Sequence, residues 1–157
     1  MPEKNRGGPP RRGPLPPAFF LMALVTQAVV HLVVPGTIVV GWPWRLFGVA
    51  GIGTGIALAV IADRQFKLAK TAIHPFDVPS VLITSGAYRL SRNPMYLAMI
   101  IVLLGAAVAL GTASPFAIPP IFALVLFWRF IRVEEQALVQ RFGDRYSDYA
   151  RHVRRWI

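Results

Sequence analysis

An all-α integral membrane protein of about four transmembrane helices is the fold class this chain predicts, with a short hairpin of the third and fourth helices and a cytosolic C-terminal amphipathic helix. Three observations predict it. Of its 157 residues 55% are hydrophobic, and the mean hydropathy of +0.52 exceeds that of an ordinary soluble globule. Apolar runs long enough to approach the bilayer thickness alternate with polar breaks. Lys and Arg number 17 against 7 Asp and Glu, and all except Arg45 fall in the N-terminal tail, the central loop or the C-terminal segment.

Residues 1–17 are rich in Pro, Gly, Arg and Lys with little to bury, so a disordered basic cytosolic tail is expected ahead of a membrane domain at 18–157. This start does not have the form of a signal peptide. Its apolar run passes from Ala18–Val34 into Pro35-Gly36 and a second hydrophobic segment, where a cleavable leader would end at small residues. Ala18 to about Val40 is the first span, ended or kinked by Pro35-Gly36. Trp42 and Trp44 then stand where an aromatic belt belongs. Leu46–Ala62 is the second span, and its Gly48, Gly51, Gly53 and Gly55 include a Gly51–Gly55 pair at the spacing of a helix-contact face.

Asp63–Pro94 reads as an ordered cytosolic loop carrying Arg64, Lys67, Lys70, Arg89 and Arg92 and punctuated by Pro75 and Pro79. Pro94–Leu110 is the third apolar run, Gly111–Pro115 a turn and Phe116–Phe130 the returning fourth, with Pro119-Pro120 near its start. Both arms are near or below the length of an upright span, which predicts a tight or partly re-entrant hairpin. The charge distribution puts both termini in the cytoplasm, so crossings are even in number, with Trp42–Arg45 and Gly111–Ser114 as outside turns. Beyond Phe130 the helix is expected to continue through Glu134-Glu135 to a C′ glycine at Gly143. Asp144 can cap a last helix with Tyr146, Tyr149, Val153 and Trp156 on one face and Arg151, Arg154 and Arg155 opposite, the pattern of an interfacial helix.

Several chemistries have little support. The chain has no Cys, which removes disulfides, thiolate nucleophiles and cysteine metal sites. His31, His74 and His152 are scattered without ligand spacing, so packed histidines and no metal are expected. The basic excess suits an anionic lipid surface better than nucleic acid, because apolar runs separate the basic stretches and no nucleic-acid motif accompanies them.

The polar groups that remain are grouped. Asn93 and Pro94 form an ordinary helix start, Asn93 as N-cap and Pro94 at N1, and the positive end of that helix lies beside Tyr88, Arg89 and Arg92. Glu134 and Glu135 can serve as solvated partners of Arg132, Arg129 and Arg141, or can receive an amine or ribose hydroxyls. A hairpin of the third and fourth helices returns the chain to the same membrane face, which makes Arg92–Tyr96 and Glu134-Glu135 neighbours. Basic groups on one wall and acids on the other suit a zwitterionic ligand, with aromatics available for a ring.

The ordered pattern Gly86-Ala87-Tyr88-Arg89, Arg92-Asn93-Pro94-Met95-Tyr96, an apolar hairpin, Glu134-Glu135, then Phe142-Gly143, Tyr146 and Tyr149 resembles the isoprenylcysteine carboxyl methyltransferase family and its bacterial and phospholipid methyltransferase relatives. The resemblance covers residues 86–157, nearly half the chain. It implies an enzyme in the membrane, in a bacterial or archaeal inner or plasma membrane, that transfers a methyl group from S-adenosyl-L-methionine at the cytosolic face to a lipophilic acceptor bearing a carboxylate, amine or thiol-type group. On this resemblance Tyr88, Arg89, Asn93, Pro94, Met95, Tyr96, Glu134 and Glu135 line the cofactor pocket, and Arg92, Asn93 and Glu135 are the catalytic set. One departure limits the carry-over. The eukaryotic carboxyl methyltransferases have His where Asn93 stands, and Asn cannot act as a base near neutral pH, so a prenylated cysteine carboxylate is not implied as acceptor.

Two other classes are compatible with the composition. A non-catalytic membrane protein recruiting lipids or partner subunits accounts for the charge but not for the paired motifs. A nicotinamide-dependent membrane reductase is the other, although no G-x-G-x-x-G element accompanies a strand and helix here. The oligomeric state and the acceptor are not specified by the chain.

Overall fold

The computed structural model describes residues 15–68 and 81–157. Among them the chain is helical, with no strand beyond an isolated antiparallel bridge between Ile38 and Thr112. Three helices are long and apolar enough to cross a membrane: α1 (Pro16–Val33), α2 (Leu46–Leu68) and the continuous helix Ser114–Phe142. A shorter apolar helix, α3 (Pro94–Leu110), completes the bundle with 17 residues, about 26 Å of rise against a hydrocarbon core of about 30 Å. Residues 1–14, most of the basic tail, and 69–80, which include Lys70, His74, Pro75 and Pro79, lie outside the described residues.

Helix α1 begins at Pro16, inside the segment expected to be tail, because proline at the first turn has no N–H to satisfy. It ends at Val33 rather than near Val40. The residues that follow turn back onto the far end of the bundle instead of extending the span. The Val39 and Val40 amides donate to the Gly111 carbonyl at 2.9 and 3.0 Å, and the Ala113 amide donates to the Thr37 carbonyl at 3.0 Å. Gly111 ends α3 at φ +75°, a left-handed turn that lets this junction form. Two polar side chains of α1 are spent on the same region. Gln27, almost fully buried, donates through Nε2 to the Leu103 and Pro115 carbonyls, and His31 Nδ1 lies 2.7 Å from Thr112 Oγ1. The loop holding Trp42, Trp44 and Arg45 therefore shares one end of the bundle with the Gly111–Ser114 turn.

The α2–α3 contact is the closest helix approach, and glycine makes it possible. Gly48, Gly51 and Gly55 of α2 face Ala98, Val102, Gly105 and Ala109 of α3, and a Cβ added to Gly105 would sit 2.7 Å from both the Gly48 carbonyl oxygen and the Ile52 nitrogen. Gly53 points elsewhere, with nothing within 4 Å of where its Cβ would be. The contact face thus contains the Gly51–Gly55 pair expected from the sequence and extends it to Gly48.

The fourth arm is longer than its apolar run suggests. After a 3₁₀ turn at Ser114–Ala117, α4 (Ile118–Leu126) passes through a π-helical turn at Phe127–Ile131 into α5 (Arg132–Phe142), so the last arm is a 29-residue helix and not a short re-entrant one. The π turn adds a residue to the winding and resets which faces of α4 and α5 point inward. Gly143 at φ +52° ends this helix as expected, and α6 (Asp144–His152) follows. Gly143, not Asp144, occupies the N-cap position of α6. The helix stops at His152, so Val153, Arg154, Arg155 and Trp156 leave it and do not continue its faces.

The core lies where α1, α3 and α4 meet, built from Tyr96, Leu103, Phe122, Leu126, Phe130 and Ile131 with Phe19, Phe20 and Trp156 packed on it. Outward-facing Leu21, Val25 and Leu32 of α1, Phe47 and Ile56 of α2, and Leu124 and Trp128 near the fourth arm's middle are exposed. An apolar girdle of this kind is stable only against other apolar matter, which in a single chain with three membrane-length helices means lipid.

Candidate functional site

At the end of the bundle opposite the Trp42–Arg45 loop, four segments converge. A 3₁₀ turn at Gly86–Arg89 is fixed to α2 by Gln65, whose Oε1 accepts from the Ala87 amide at 3.2 Å and whose Nε2 donates to the Ser85 carbonyl at 3.3 Å. This holds Tyr88 buried with its ring edge-on to Phe66, centroids 5.5 Å apart, and Met95 packed against the same cluster. The Tyr149 hydroxyl of α6 donates to the Tyr88 carbonyl at 2.6 Å. Burial, with Tyr146 beside it, pushes the Tyr149 phenol up to about 12 and keeps it a neutral donor.

Asn93 stands at the N-cap of α3 and Pro94 at its first turn, both buried. Asn93 does not cap through its side chain. Its Nδ2 instead donates to the Arg155 carbonyl at 3.3 Å, while Ser91 Oγ receives the Asn93 amide at 3.1 Å and itself donates to the Arg155 carbonyl at 3.0 Å. The Arg92 amide donates to the Arg154 carbonyl at 3.0 Å. Residues 154–156 thus form a strap across the start of α3, with Trp156 anchored in the core.

The hairpin brings Arg92–Tyr96 and Glu134-Glu135 together, as the sequence predicts, but it gives the two glutamates different partners. Glu134 receives the Tyr96 hydroxyl at 2.5 Å, and no guanidinium or ammonium pairs with it among the described residues. Glu135 takes a two-pronged contact from Arg155, Nε to Oε1 at 3.0 Å and Nη2 to Oε2 at 2.7 Å, and faces Arg92 Nη1 at 3.3 Å. Its expected helical neighbour Arg132 is not a partner; that guanidinium lies 4.7 Å over the Trp128 ring. Arg89 is exposed and makes no ion pair among the described residues.

Glu135, Arg92 and Arg155 line a cleft of about 500 Å³ between α5 and α6, together with Phe127, Arg132 and Tyr146. Glu134, Tyr96 and Asn93 are not among its lining residues. The converging groups therefore present two environments: an uncompensated carboxylate and buried tyrosines on the α3 side, and guanidiniums around one neutralised carboxylate on the α6 side. Arg155, Ser91 and Trp156 are the site residues that sequence reasoning missed. A periodicity that continues past His152 hid Arg155 and Trp156, because it placed both on faces of a helix that ends before them, and a lone serine before α3 carries no pattern that would single out Ser91.

The phospholipid methyltransferase family matches residues 44–145 of this chain. Over 77 residues the chain is 39% identical to a protein-S-isoprenylcysteine O-methyltransferase of Schizosaccharomyces pombe, a match covering 46% of this chain and 31% of that protein. It is also 38% identical over 63 residues to an uncharacterized protein of Haemophilus influenzae, covering 40% of this chain and 100% of that one. The match spans about a third of the fission-yeast relative's length.

Proposed function

Because the chain belongs to the phospholipid methyltransferase family, we propose that it is a membrane enzyme that transfers a methyl group from S-adenosylmethionine to a lipophilic acceptor at the cytosolic face. On this reading the bundle crosses the membrane four times, α3 included, with both termini and the converging segments in the cytosol. The observation that carries it is the Glu134–Tyr96 pair beside Tyr88: a carboxylate with a hydroxyl on one oxygen and no cation partner among the described residues, walled by buried aromatic rings.

Those groups fit the cofactor's chemistry. A cationic ammonium or ribose hydroxyls find an acceptor at Glu134, and an aromatic base finds ring surface at Tyr88 and Tyr96. When bound, S-adenosylmethionine supplies an electrophilic methyl group on a sulfonium, so no covalent nucleophile from the protein is needed. The chain's own work is positional. Tyr96 fixes the Glu134 carboxylate by its hydroxyl, Asn93 and Ser91 fix the strap, and Glu135 holds Arg92 and Arg155 in place. Glu135 is thereby assigned to organising the site, and contact with the cofactor to Glu134.

Isothermal titration of the detergent-purified full chain with S-adenosylhomocysteine tests this. Glu134→Gln is expected to weaken binding about tenfold or more, the loss of a charge-assisted contact, and Tyr96→Phe by somewhat less. Unchanged affinity in both variants, or no binding by the folded wild type, overturns the reading.

A further inference from the structure

Resting on the methyl-donor reading above, we infer that Gln65 of α2 is a positioning residue for that donor: it locks the Gly86–Arg89 turn so that the Tyr88 ring stands as a wall of the pocket before the ligand arrives. Helix α2 supplies none of the groups assigned to donor binding, and Gln65 stands 20 positions before Ser85 in the chain. Connectivity over that length leaves a turn many places to sit, so contacts must choose one. Leu58, Ala62, Gln65 and Phe66 recur at helical spacing on the face of α2 that meets the turn. Three of them hold it by burial alone: Ala62 is fully enclosed, Leu58 packs on the Ala87 and Tyr88 cluster, and Phe66 meets the Tyr88 ring edge-on. Burial has no direction and lets a turn slide. The Gln65 amide supplies the direction, because it accepts from the Ala87 N–H and donates to the Ser85 carbonyl, the same carbonyl that closes the turn by accepting the Tyr88 amide at 3.1 Å.

The counterpart of this lock is Gly86, whose place in the motif the donor groups do not explain. Its φ is +59°, and a Cβ built on it would overlap the Gln65 side-chain amide, so a side chain at position 86 and the lock cannot share that space. Gly86 is thus the socket that admits Gln65. On the other side the Tyr149 hydroxyl holds the Tyr88 carbonyl, so the turn is gripped from α6 and from a membrane helix. A ligand that needs the Tyr88 ring in one place binds only the molecules that have it there, and apparent affinity falls with that fraction. Losing the lock lowers the fraction and slows association. The complex, once formed, keeps its own contacts and leaves at nearly the same rate.

Equilibrium and kinetic binding of S-adenosylhomocysteine to the detergent-purified full chain, read by surface plasmon resonance, tests the inference. Gln65→Ala keeps α2 helical while removing both bonds. It is expected to weaken binding about tenfold, the worth of two neutral hydrogen bonds, with association slowed by that factor and dissociation changed by less than about twofold. In the Gly86→Ala background, where the lock is already displaced, Gln65→Ala is expected to add less than about twofold. Equal binding by the wild type and Gln65→Ala overturns the inference and leaves the donor reading standing. A loss carried by faster dissociation overturns it too, since Gln65 would then be a contact of the ligand, as does the full loss recurring in the Gly86→Ala background. No binding by the folded wild type overturns the donor reading and this inference together.

Discussion

Glu135 joins three segments distant in sequence, and replacing it with Gln measures how much the site depends on that junction. The side chains of Glu135 and Arg92 are 14% and 15% exposed, whereas that of Arg155 is 35% exposed. Removing one partner of a buried ion pair costs about 3–5 kcal/mol, because the remaining charge is left without compensation. Here Arg155 can recover water and the Gln oxygen can still accept one bond, so about 2–3 kcal/mol is expected. The loss should divide unequally. Arg155 contacts both carboxylate oxygens at 3.0 and 2.7 Å, and Arg92 only one at 3.3 Å. Double-mutant cycles with Arg155→Gln and Arg92→Gln, read by SDS-titrated unfolding in mixed micelles, should therefore give about 1–2 kcal/mol of coupling for Glu135–Arg155 and about half that for Glu135–Arg92. A Glu135–Arg155 coupling below about 0.5 kcal/mol, or a larger one to Arg92, refutes the strap as an organising element.

Two more outcomes follow from the packing. Gly105→Ala places a methyl group 2.7 Å from two backbone atoms of α2, so the helices must separate, at a cost of about 1–3 kcal/mol; Gly53→Ala, with open space around it, should be neutral or stabilising by up to about 1 kcal/mol, and equal effects in the same unfolding assay would contradict the contact face. Tyr149 has a folded value of about 12 against an ordinary 10.0, so above pH 10 the unfolded chain loses this proton before the folded one does, and stability falls as pH rises towards 12. Tyr149→Phe should flatten that fall and lower stability below pH 10 through the lost bond to the Tyr88 carbonyl; an unchanged slope between pH 10 and 12 would show that this phenol is free in the folded state.

Much of this arrangement is legible in the sequence because it follows from local physics. Hydrophobic length locates the spans, the Asn93-Pro94 start locates α3, and a glycine at Gly143 locates the end of α5, each from the properties of a few adjacent residues. The end of α1 was less legible because tertiary pairing decides it: Val39 and Val40 are apolar enough to continue a span, yet the carbonyl of Gly111 claims their amides. The same holds at the C-terminus. Val153 and Trp156 keep helical spacing with Tyr146 and Tyr149, but the bonds of the Arg154 and Arg155 carbonyls with Ser91, Arg92 and Asn93 take the backbone out of the helix. A pattern of apolar residues cannot register a competing partner more than 60 residues away, and the Asn93–Arg155 bond spans 62.

The paired glutamates show where a motif stops and geometry begins. Residues i and i+1 of a helix are about 100° apart and do not face the same neighbour. Two adjacent acids on α5 therefore cannot line one wall together, however close they stand in sequence. The structure realises the consequence: Glu134 turns to the hydroxyl of Tyr96 on α3, and Glu135 to the guanidinium of Arg155 on the strap. The first is left as an acceptor without a cation partner among the described residues, and the second is saturated by two. Adjacent identical residues thus meet different partners, one a hydroxyl alone and the other two guanidiniums that tie separate segments together. The π turn just before them matters for the same reason. One added residue of winding changes the azimuth of everything after Ile131, so without it neither glutamate would meet its present partner.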